Sequence, residues 1–163
     1  MGKVVKTEKT ELHPIQCAWG LLCSLSSTDK DSNSISLFNI VEQFNLPKDA
    51  FDRQKEAKKV LLFPAQYEVI LFLRRALNVS IFDDEILSDI KIKTIDPSGN
   101  TIQETISSFK FPKGMKRLRF RVIMAGLSFT TIGNYVHQIE IKSLTSNDFR
   151  KLLEIPFEII EKK

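Results

Sequence analysis

The chain has 163 residues, of which 42% are apolar and 27% charged, and its formal net charge is +4. The length suits one domain with a real core, and the apolar content excludes disordered, collagen-like and low-complexity proteins. No uncharged apolar run approaches the roughly 20 residues of a membrane span, and no apolar leader follows Met1. Two cysteines cannot build a disulfide framework, so we expect a soluble, cytoplasmic protein in a reducing compartment.

The N-terminal third predicts a lead-in followed by a hairpin. Residues 1–11 are polar and are expected to be flexible, which leaves residues 12–163 as a single β-sandwich domain. Residues 12–25 are apolar, the run SSTDKDSNS is polar, and ISLFNIVEQFNL then resumes the apolar pattern up to Pro47. Two β-prone runs around a Ser/Asp/Asn-rich connector predict a hairpin with a long, solvated loop.

A charged stretch and a strongly apolar one follow in the middle of the chain. The segment 48–59 contains neither Gly nor Pro, and it fits either a short helix or a loop. After Pro64, AQYEVILFLRR is apolar on both of its alternating faces, which predicts a central strand covered on both sides. Residues 77–89 carry an acidic cluster and show no clear pattern.

The second half alternates strand patterns with turn signals. DIKIKTI sets isoleucines against lysines, which is typical of a strand with one face in water, and DPSGN turns the chain. TIQETISSFKF, KRLRFRVIMAG and YVHQIEIK predict further strands. Ser146 is expected to cap a helix over NDFRKLLE, and IPFEIIEK is expected to form the closing strand.

Together these segments predict a mainly all-β fold. We expect an antiparallel, immunoglobulin-like β-sandwich of about seven to eight strands, with one or two short helices in the connections. Phenylalanine accounts for 12 residues against two Tyr and one Trp, and this bias indicates core construction, because a Phe ring needs no hydrogen-bond partner. The phenylalanines on predicted strands are Phe38, Phe44, Phe72, Phe111, Phe120, Phe129 and Phe157.

The segments ISLFNIVEQFNLP, DPSGNTIQETISSFKFP, GNYVHQIEI and IPFEI occur in an order that carries a family resemblance. In this order the chain resembles an uncharacterised bacterial family of small immunoglobulin-like β-sandwich proteins. The resemblance implies a fold and brings no catalytic residues with it. The insertion SLTSNDFRKLL before the last strand and the length of the charged stretch 48–59 depart from the family pattern.

Few residues fit a catalytic or metal site. The sequence contains no nucleophile elbow, P-loop, dinucleotide fingerprint or zinc-protease motif. His137 shares a strand face with Tyr135, which indicates a partly buried structural histidine bonded to a backbone carbonyl. Cys17 and Cys23 would face the same side of one strand at roughly 20 Å, beyond disulfide reach. We therefore predict no catalytic residue, no cofactor and no metal.

The connector DKDSNS leaves calcium binding open as an alternative. It spaces Asp29, Asp31 and Asn33 like the first ligands of a calcium loop, although the turn glycine and the final glutamate are missing. Acidic residues 83–85 could complete such a site. The same residue types are also what turns prefer.

The strongest functional pattern is basic. Residues 113–121 carry five positive charges and no negative one. Alternation places every second residue from 117 to 121 in one row, about 7 Å apart, where guanidinium groups repel unless an anion or a carboxylate lies across them. Two lysines at 91 and 93 would extend the patch if their strand is adjacent. The candidate anion-binding residues are Lys91, Lys93, Arg117, Arg119 and Arg121.

A second interpretation of this row, in which it binds no ligand, remains open beside the functional one. Glu104, Glu140 or Glu158 on neighbouring strands could neutralise an ordinary solvated sheet face. No Tyr or Trp is interleaved with the arginines, so the platforms on which nucleic-acid bases stack are missing. Trp19 is expected in the core.

The first functional hypothesis is a non-enzymatic protein-binding or adaptor module that meets a protein partner, or a second copy, through a sheet edge or loops. The alternative is a module that binds an anionic ligand, either nucleic acid or membrane headgroups, through its basic strand face. An enzyme with an unrecognised site around His137 comes third.

Overall fold

The computed structural model describes residues 13–29, 31–32, 34–76, 84–144 and 147–162. These ranges form an all-β protein with eleven strands and one helix, more strands than the seven or eight predicted. The lead-in predicted for residues 1–11 lies outside them. Within the described ranges, no helix has the length and apolar character needed to cross a membrane.

In chain order the elements are β1 (Ile15–Thr28), β2 (Ile35–Ile40), β3 (Gln43–Leu46), α1 (Lys48–Ala57), β4 (Leu61–Phe63), β5 (Tyr67–Arg75), β6 (Ile86–Ile95), β7 (Thr101–Phe111), β8 (Arg117–Met124), β9 (Leu127–Phe129), β10 (Gly133–Lys142) and β11 (Phe149–Glu161). One sheet has the strand order β2-β1-β5-β8 and is antiparallel throughout. The other has the order β3-β11-β10-β6-β7 and is antiparallel except between β3 and β11. Strands β4 and β9 pair separately.

One hydrophobic core joins the two large sheets. Leu22 and Leu71 of the four-stranded sheet are buried in the same cluster as Ile92 and Phe157 of the five-stranded sheet. Burial of a large apolar side chain stabilises a fold by about 1.5 to 3 kcal/mol, so this cluster is the main source of stability. We call the sheet faces that point into this cluster the inner faces and the opposite ones the outer faces.

Several local predictions are confirmed. Strands β1 and β2 form the predicted hairpin. Strand β5 lies between β1 and β8, and residues on both of its faces are buried, as its two-sided apolar pattern predicted. The charged stretch, for which the sequence left both a helix and a loop open, forms α1, which ends where Lys58 takes a left-handed conformation with φ 50°. Gly99 has φ 85° in the predicted turn after β6.

The predicted helix over residues 147–154 is wrong. Strand β11 (Phe149–Glu161) runs through this segment and continues into the predicted closing strand. Along most of its length it pairs with β10, with Ile139 opposite Leu153 and Tyr135 opposite Phe157. The ladder buries Ile155 and Phe157 against the core, and this tertiary contact outweighs the local helix signal.

Candidate anion-binding site

The three arginines of β8 occupy its outer face, as the alternation predicted. Leu118 and Phe120 pack against the core cluster, whereas Arg117 and Arg121 are exposed and Arg119 is half-buried. Among the described strands, β8 is an edge of the four-stranded sheet and pairs there only with β5. The row therefore lies along one border of the sheet.

The residues opposite these arginines on β5 are not carboxylates. Arg121 lies opposite Ile70, Arg119 opposite Phe72 and Arg117 opposite Arg74. Arg74 is also exposed, and among the described residues no ion pair joins either Arg74 or Arg117 to a carboxylate. Like charges placed directly opposite each other in a sheet are destabilising, and no carboxylate of the described residues balances this end of the row.

The end of the β1–β2 hairpin curls over the outer face of β5 and β8. Ser26, Thr28 and Ile35 from the hairpin line a cavity of about 440 Å³ together with Ile70 and the arginines. This cover explains why Ile70 is only 1% exposed although it points away from the main core. The outer face is therefore concave along the arginine row.

A second cavity continues the first along the same row. It measures about 340 Å³ and is lined by Thr28, Phe72, Met115, Arg117, Leu118 and Arg119. Thr28 and Arg119 line both cavities. We call the two cavities together the arginine groove. Guanidinium groups and hydroxyl groups facing one concave surface are donors suited to phosphate or carboxylate oxygens.

One buried carboxylate lies behind the groove. Glu68 is 3% exposed and accepts a hydrogen bond from the Ser26 hydroxyl. Its Oε1 lies 3.8 Å from Nη1 of Arg121, which neutralises this end of the row. Within the described part of the chain, Arg117 and Arg74 are consequently two arginines of this face that have no carboxylate partner.

Lys91 and Lys93 do not extend the patch, because β6 belongs to the other sheet. Lys93 Nζ lies 2.9 Å from Glu140 Oε1, and Lys91 Nζ lies over the ring of Phe149 at 4.1 Å. Burial alone would raise the pKa of Glu140, but hydrogen bonds, chiefly from Lys93, outweigh it and lower the pKa. Both lysines thus have partners outside the groove.

The predicted glutamate partners of the arginines are also wrong. Glu104, Glu140 and Glu158 lie on β7, β10 and β11, all in the five-stranded sheet. Because the arginines point away from the core between the two sheets, none of these glutamates is a cross-strand neighbour of β8. The row therefore cannot be an ordinary sheet face that these three glutamates neutralise.

A β-bulge places an aromatic pair beside the row. The register of β1 against β5 shifts between Cys17 and Trp19, so Cys17 packs toward the core while Trp19 faces outward opposite Phe72. The two rings stack with centroids 5.3 Å apart and planes 5° apart, and Trp19 is 39% exposed. The expectation that Trp19 and Phe72 fill the core is wrong. The sequence signal could not reveal the pair, because its members come from different strands.

The other phenylalanines on predicted strands are likewise split between the core and the surface. Phe44, Phe111, Phe120, Phe129 and Phe157 lie in the core cluster or pack against it, as predicted. Phe38 is instead 48% exposed on the edge strand β2. The aromatic bias is therefore only partly core construction.

The same bulge separates the two thiols. Cys23 lies after the shift and faces outward opposite Glu68, so the prediction that both cysteines share a face is wrong. Both thiols are free. Burial raises the pKa of Cys17 to about 11, and burial and the nearby Glu68 raise the pKa of Cys23. Neither thiol is activated as a nucleophile.

His137 is a core residue. Its Nε2 is hydrogen-bonded to the Tyr67 hydroxyl at 2.9 Å and its Nδ1 to the Thr94 hydroxyl at 3.2 Å, rather than to a backbone carbonyl as predicted. Burial lowers the pKa of His137 to about 4, so the ring is neutral at pH 7. With both nitrogens occupied inside the core, the ring cannot reach a substrate.

The acidic residues considered for calcium serve local structure. The Asp29 carboxylate accepts hydrogen bonds from the Asp31 amide and the Ser32 hydroxyl. Asp84 pairs with Lys113, and Glu85 pairs with Lys110. Asn33 and Asp83 lie outside the described residues, and within these no group of three or more His, Cys, Asp or Glu could hold a metal ion.

A larger cavity lies elsewhere, between the ends of β6, β7 and β10, and measures about 860 Å³. Its charged lining is internally paired, because Asp89 accepts a hydrogen bond from Ser108 and lies 3.5 Å from Lys142. The groove combines concave shape with unbalanced charge, and we therefore prefer it as the site despite its smaller volume.

Comparison with known proteins identifies no family for this chain. No protein-family profile matches the chain, and no curated protein is similar to it at a significant level.

Proposed function

We propose that this protein is a non-enzymatic binding module that takes an anionic group, phosphate or carboxylate, in the arginine groove. The observation that carries the proposal is the direct opposition of Arg74 and Arg117, together with a cavity that Arg117 and Arg119 line. This alternative now ranks above binding of a protein partner through a sheet edge, because the expected glutamate partners of the arginines lie on the other sheet.

An anion in the groove would remove an energetic cost that the free protein carries. Two unit charges 4 Å apart interact by about 1 kcal/mol in water and by more near a protein surface. A ligand oxygen between two guanidinium groups turns this repulsion into charge-assisted hydrogen bonds, worth about 1.5 to 3 kcal/mol each. The binding free energy therefore comes mainly from the arginines.

Retention on immobilised heparin tests the proposal, since heparin is a polyanion. The wild-type chain is compared with the triple variant Arg117→Gln, Arg119→Gln, Arg121→Gln. A matched control changes the exposed lysines Lys48, Lys55 and Lys59 to Gln, which removes the same three charges elsewhere.

We expect the wild type and the lysine control to be retained and to elute with rising salt, and the arginine variant to flow through. Equal losses in the two variants would mean that net charge alone drives retention, and the groove would be abandoned as the site. Thermal melting of each variant confirms that it is folded.

Edge strand β2 supports a second candidate function, the binding of a protein segment by strand addition. The strand carries no charge and no proline, and its Phe38 and Ile40 side chains are 48% and 60% exposed. Such an edge is a template for a further strand. Sedimentation analysis of wild type and Ile40→Lys tests it for a second copy of the chain: a concentration-dependent dimer that the variant abolishes supports this function.

The finer fold assignment is also a proposal. We propose that the two large sheets form an immunoglobulin-like sandwich, a view supported by Tyr135 near the start of β10. Its hydroxyl donates to the Thr131 carbonyl at 2.6 Å and accepts from the Thr130 and Thr131 amides, as in a tyrosine corner. A cytoplasmic location is proposed too, supported by the free thiols of Cys17 and Cys23.

A further inference from the structure

We propose that the anionic ligand of the arginine groove is a single-stranded nucleic acid, with a base stacked on the Trp19–Phe72 pair and its phosphates on the arginines of β8. The inference rests on the proposed function and adds the class of ligand. It is carried by a second observation, the aromatic pair that lies beside the arginines.

The aromatic pair and the arginine row are one continuous feature of the sheet. Trp19 on β1 lies opposite Phe72 on β5, and Phe72 lies opposite Arg119 on β8. Three adjacent strands thus present an indole, a phenyl ring and a guanidinium group in a single line. Phe72, Arg117 and Arg119 also line one cavity.

The indole is accessible as a stacking surface. Trp19 keeps 39% of its surface exposed, which is far more than a core tryptophan retains. Strand β2 pairs with β1 only from Cys23 to Thr28, so the described residues leave the edge of β1 beside Trp19 without a neighbouring strand. A planar group can therefore approach the pair from this side.

The spacing of the arginines suits a chain of phosphates. Alternate residues on a strand are about 7 Å apart, so the row from Arg117 to Arg121 spans about 14 Å. This is about four nucleotides at the 3.4 Å rise of a stacked strand. Basic side chains that follow a backbone, together with aromatic rings that stack with bases, are the two elements of single-strand recognition.

The aromatic platform favours a single strand over other polyanions. A base stacked on an aromatic ring contributes about 1 to 3 kcal/mol, which is about 5-fold to 150-fold in affinity. The bases of a duplex are already stacked on one another and offer such a face only at the ends. A lipid headgroup has no planar ring that could stack on Trp19 in this way.

The test uses the full chain and a fluorescein-labelled, eight-residue single-stranded oligodeoxynucleotide of mixed pyrimidines, followed by fluorescence anisotropy. A second oligomer has the same length and charge but is abasic at every internal position. Because Trp19 is the one tryptophan of the chain, quenching of its emission by unlabelled oligomer is an independent readout of stacking.

Three variants separate charge from stacking. Trp19→Phe retains an aromatic ring, Trp19→Leu retains only apolar volume, and Arg119→Gln removes one charge of the row. Melting curves verify folding, and Lys55→Gln is the charge-matched control for Arg119→Gln, since Lys55 is exposed on α1.

We expect the normal oligomer to bind about tenfold or more tightly than the abasic one and to quench Trp19, with Trp19→Leu losing this preference and Trp19→Phe keeping most of it. Arg119→Gln should weaken both oligomers, whereas Lys55→Gln should not. Equal, arginine-dependent binding of both oligomers without quenching would overturn the nucleic-acid inference and leave the anion groove standing. Absence of arginine-dependent binding to either oligomer and to heparin would overturn both.

Discussion

Arg74 and Arg117 lie directly opposite each other across the β5–β8 ladder, and both side chains are exposed. The pair destabilises the free protein locally, since cross-strand neighbours usually balance their charges. Arg117, one member of the pair, lines the arginine groove. A cost to stability at the position where a ligand would be stabilised is characteristic of functional sites.

The first prediction follows from this repulsion. Arg74→Gln should raise the free energy of unfolding by about 0.2 to 1 kcal/mol at low salt, because it removes one of two opposed positive charges. The difference should shrink at high salt, where exposed charges are screened. Urea unfolding at low and high salt measures both effects. Lys151→Gln is the control: it breaks an exposed ion pair with Glu154 and should be neutral or slightly destabilising. A destabilised Arg74→Gln would show that the two arginines do not repel each other in the folded chain.

The second prediction concerns Glu68, which lies 3.8 Å from Arg121 and competes with any anion for it. Glu68→Gln preserves the shape of the side chain and removes its negative charge, so the free energy of heparin binding should become more favourable by about 1 kcal/mol. The variant should therefore elute at a higher salt concentration than the wild type. Ser26→Ala loses the hydrogen bond to Glu68 but keeps the charge, and its retention should stay close to that of the wild type. Unchanged retention of Glu68→Gln would place the bound anion away from Arg121.

The third prediction is a pH dependence of stability that comes from His137. The pKa of His137 is lowered from 6.5 to about 4 in the folded protein, because the ring is buried. Below pH 6.5, His137 takes up a proton in the unfolded chain that the folded core excludes. The contribution of His137 to the free energy of unfolding is therefore fully present above pH 6.5. The free energy of unfolding should fall by about 3 kcal/mol between pH 6.5 and 4, and His137 should cause no further loss below pH 4.

Urea unfolding at several pH values tests the histidine, with His137→Gln as the comparison. The variant should show a shallower slope in this window, whatever its absolute stability. His13, whose pKa burial also lowers, is present in both proteins, so the difference in slope isolates His137. Parallel slopes would mean that His137 is protonated equally in the folded and unfolded chains.

The fourth prediction concerns the Tyr135 hydroxyl, which satisfies the Thr131 carbonyl and the amides of Thr130 and Thr131. Tyr135→Phe should lower the free energy of unfolding by about 1 to 3 kcal/mol, since these groups lose their partner. Thermal melting measures the loss. Tyr135→Phe keeps the stacked contact with Phe157, so the loss reports the hydroxyl alone. A melting temperature equal to that of the wild type would indicate that water replaces the hydroxyl.

Patterns with a period of two were the reliable part of the sequence. Apolar residues on both faces identified β5 as a central strand, and alternation gave the outward row of arginines on β8, because the side chains of a strand alternate strictly between its two faces. The helix predicted over residues 147–154 is wrong because a short local signal was outweighed by a long ladder with β10. The β4–β9 pair was missed because each strand has only three residues.

Strand order decided which predicted site residues meet. Lys91 and Lys93 are close in pattern to the arginines and yet lie on the other sheet, while Arg74 was not singled out and faces Arg117. No sequence pattern specifies which strands become neighbours, since every exposed edge offers the same backbone hydrogen bonds.

By itself the sequence determined that this chain is mostly β-structure with a row of arginines on one strand face, because these properties depend on residue type and local alternation. Only the tertiary structure decided that a bulge at Cys17 turns Trp19 outward beside Phe72, and that the β1–β2 hairpin curls over the arginines. Both depend on pairing between residues that are distant in the chain, so the groove exists only once β1, β5 and β8 have come together.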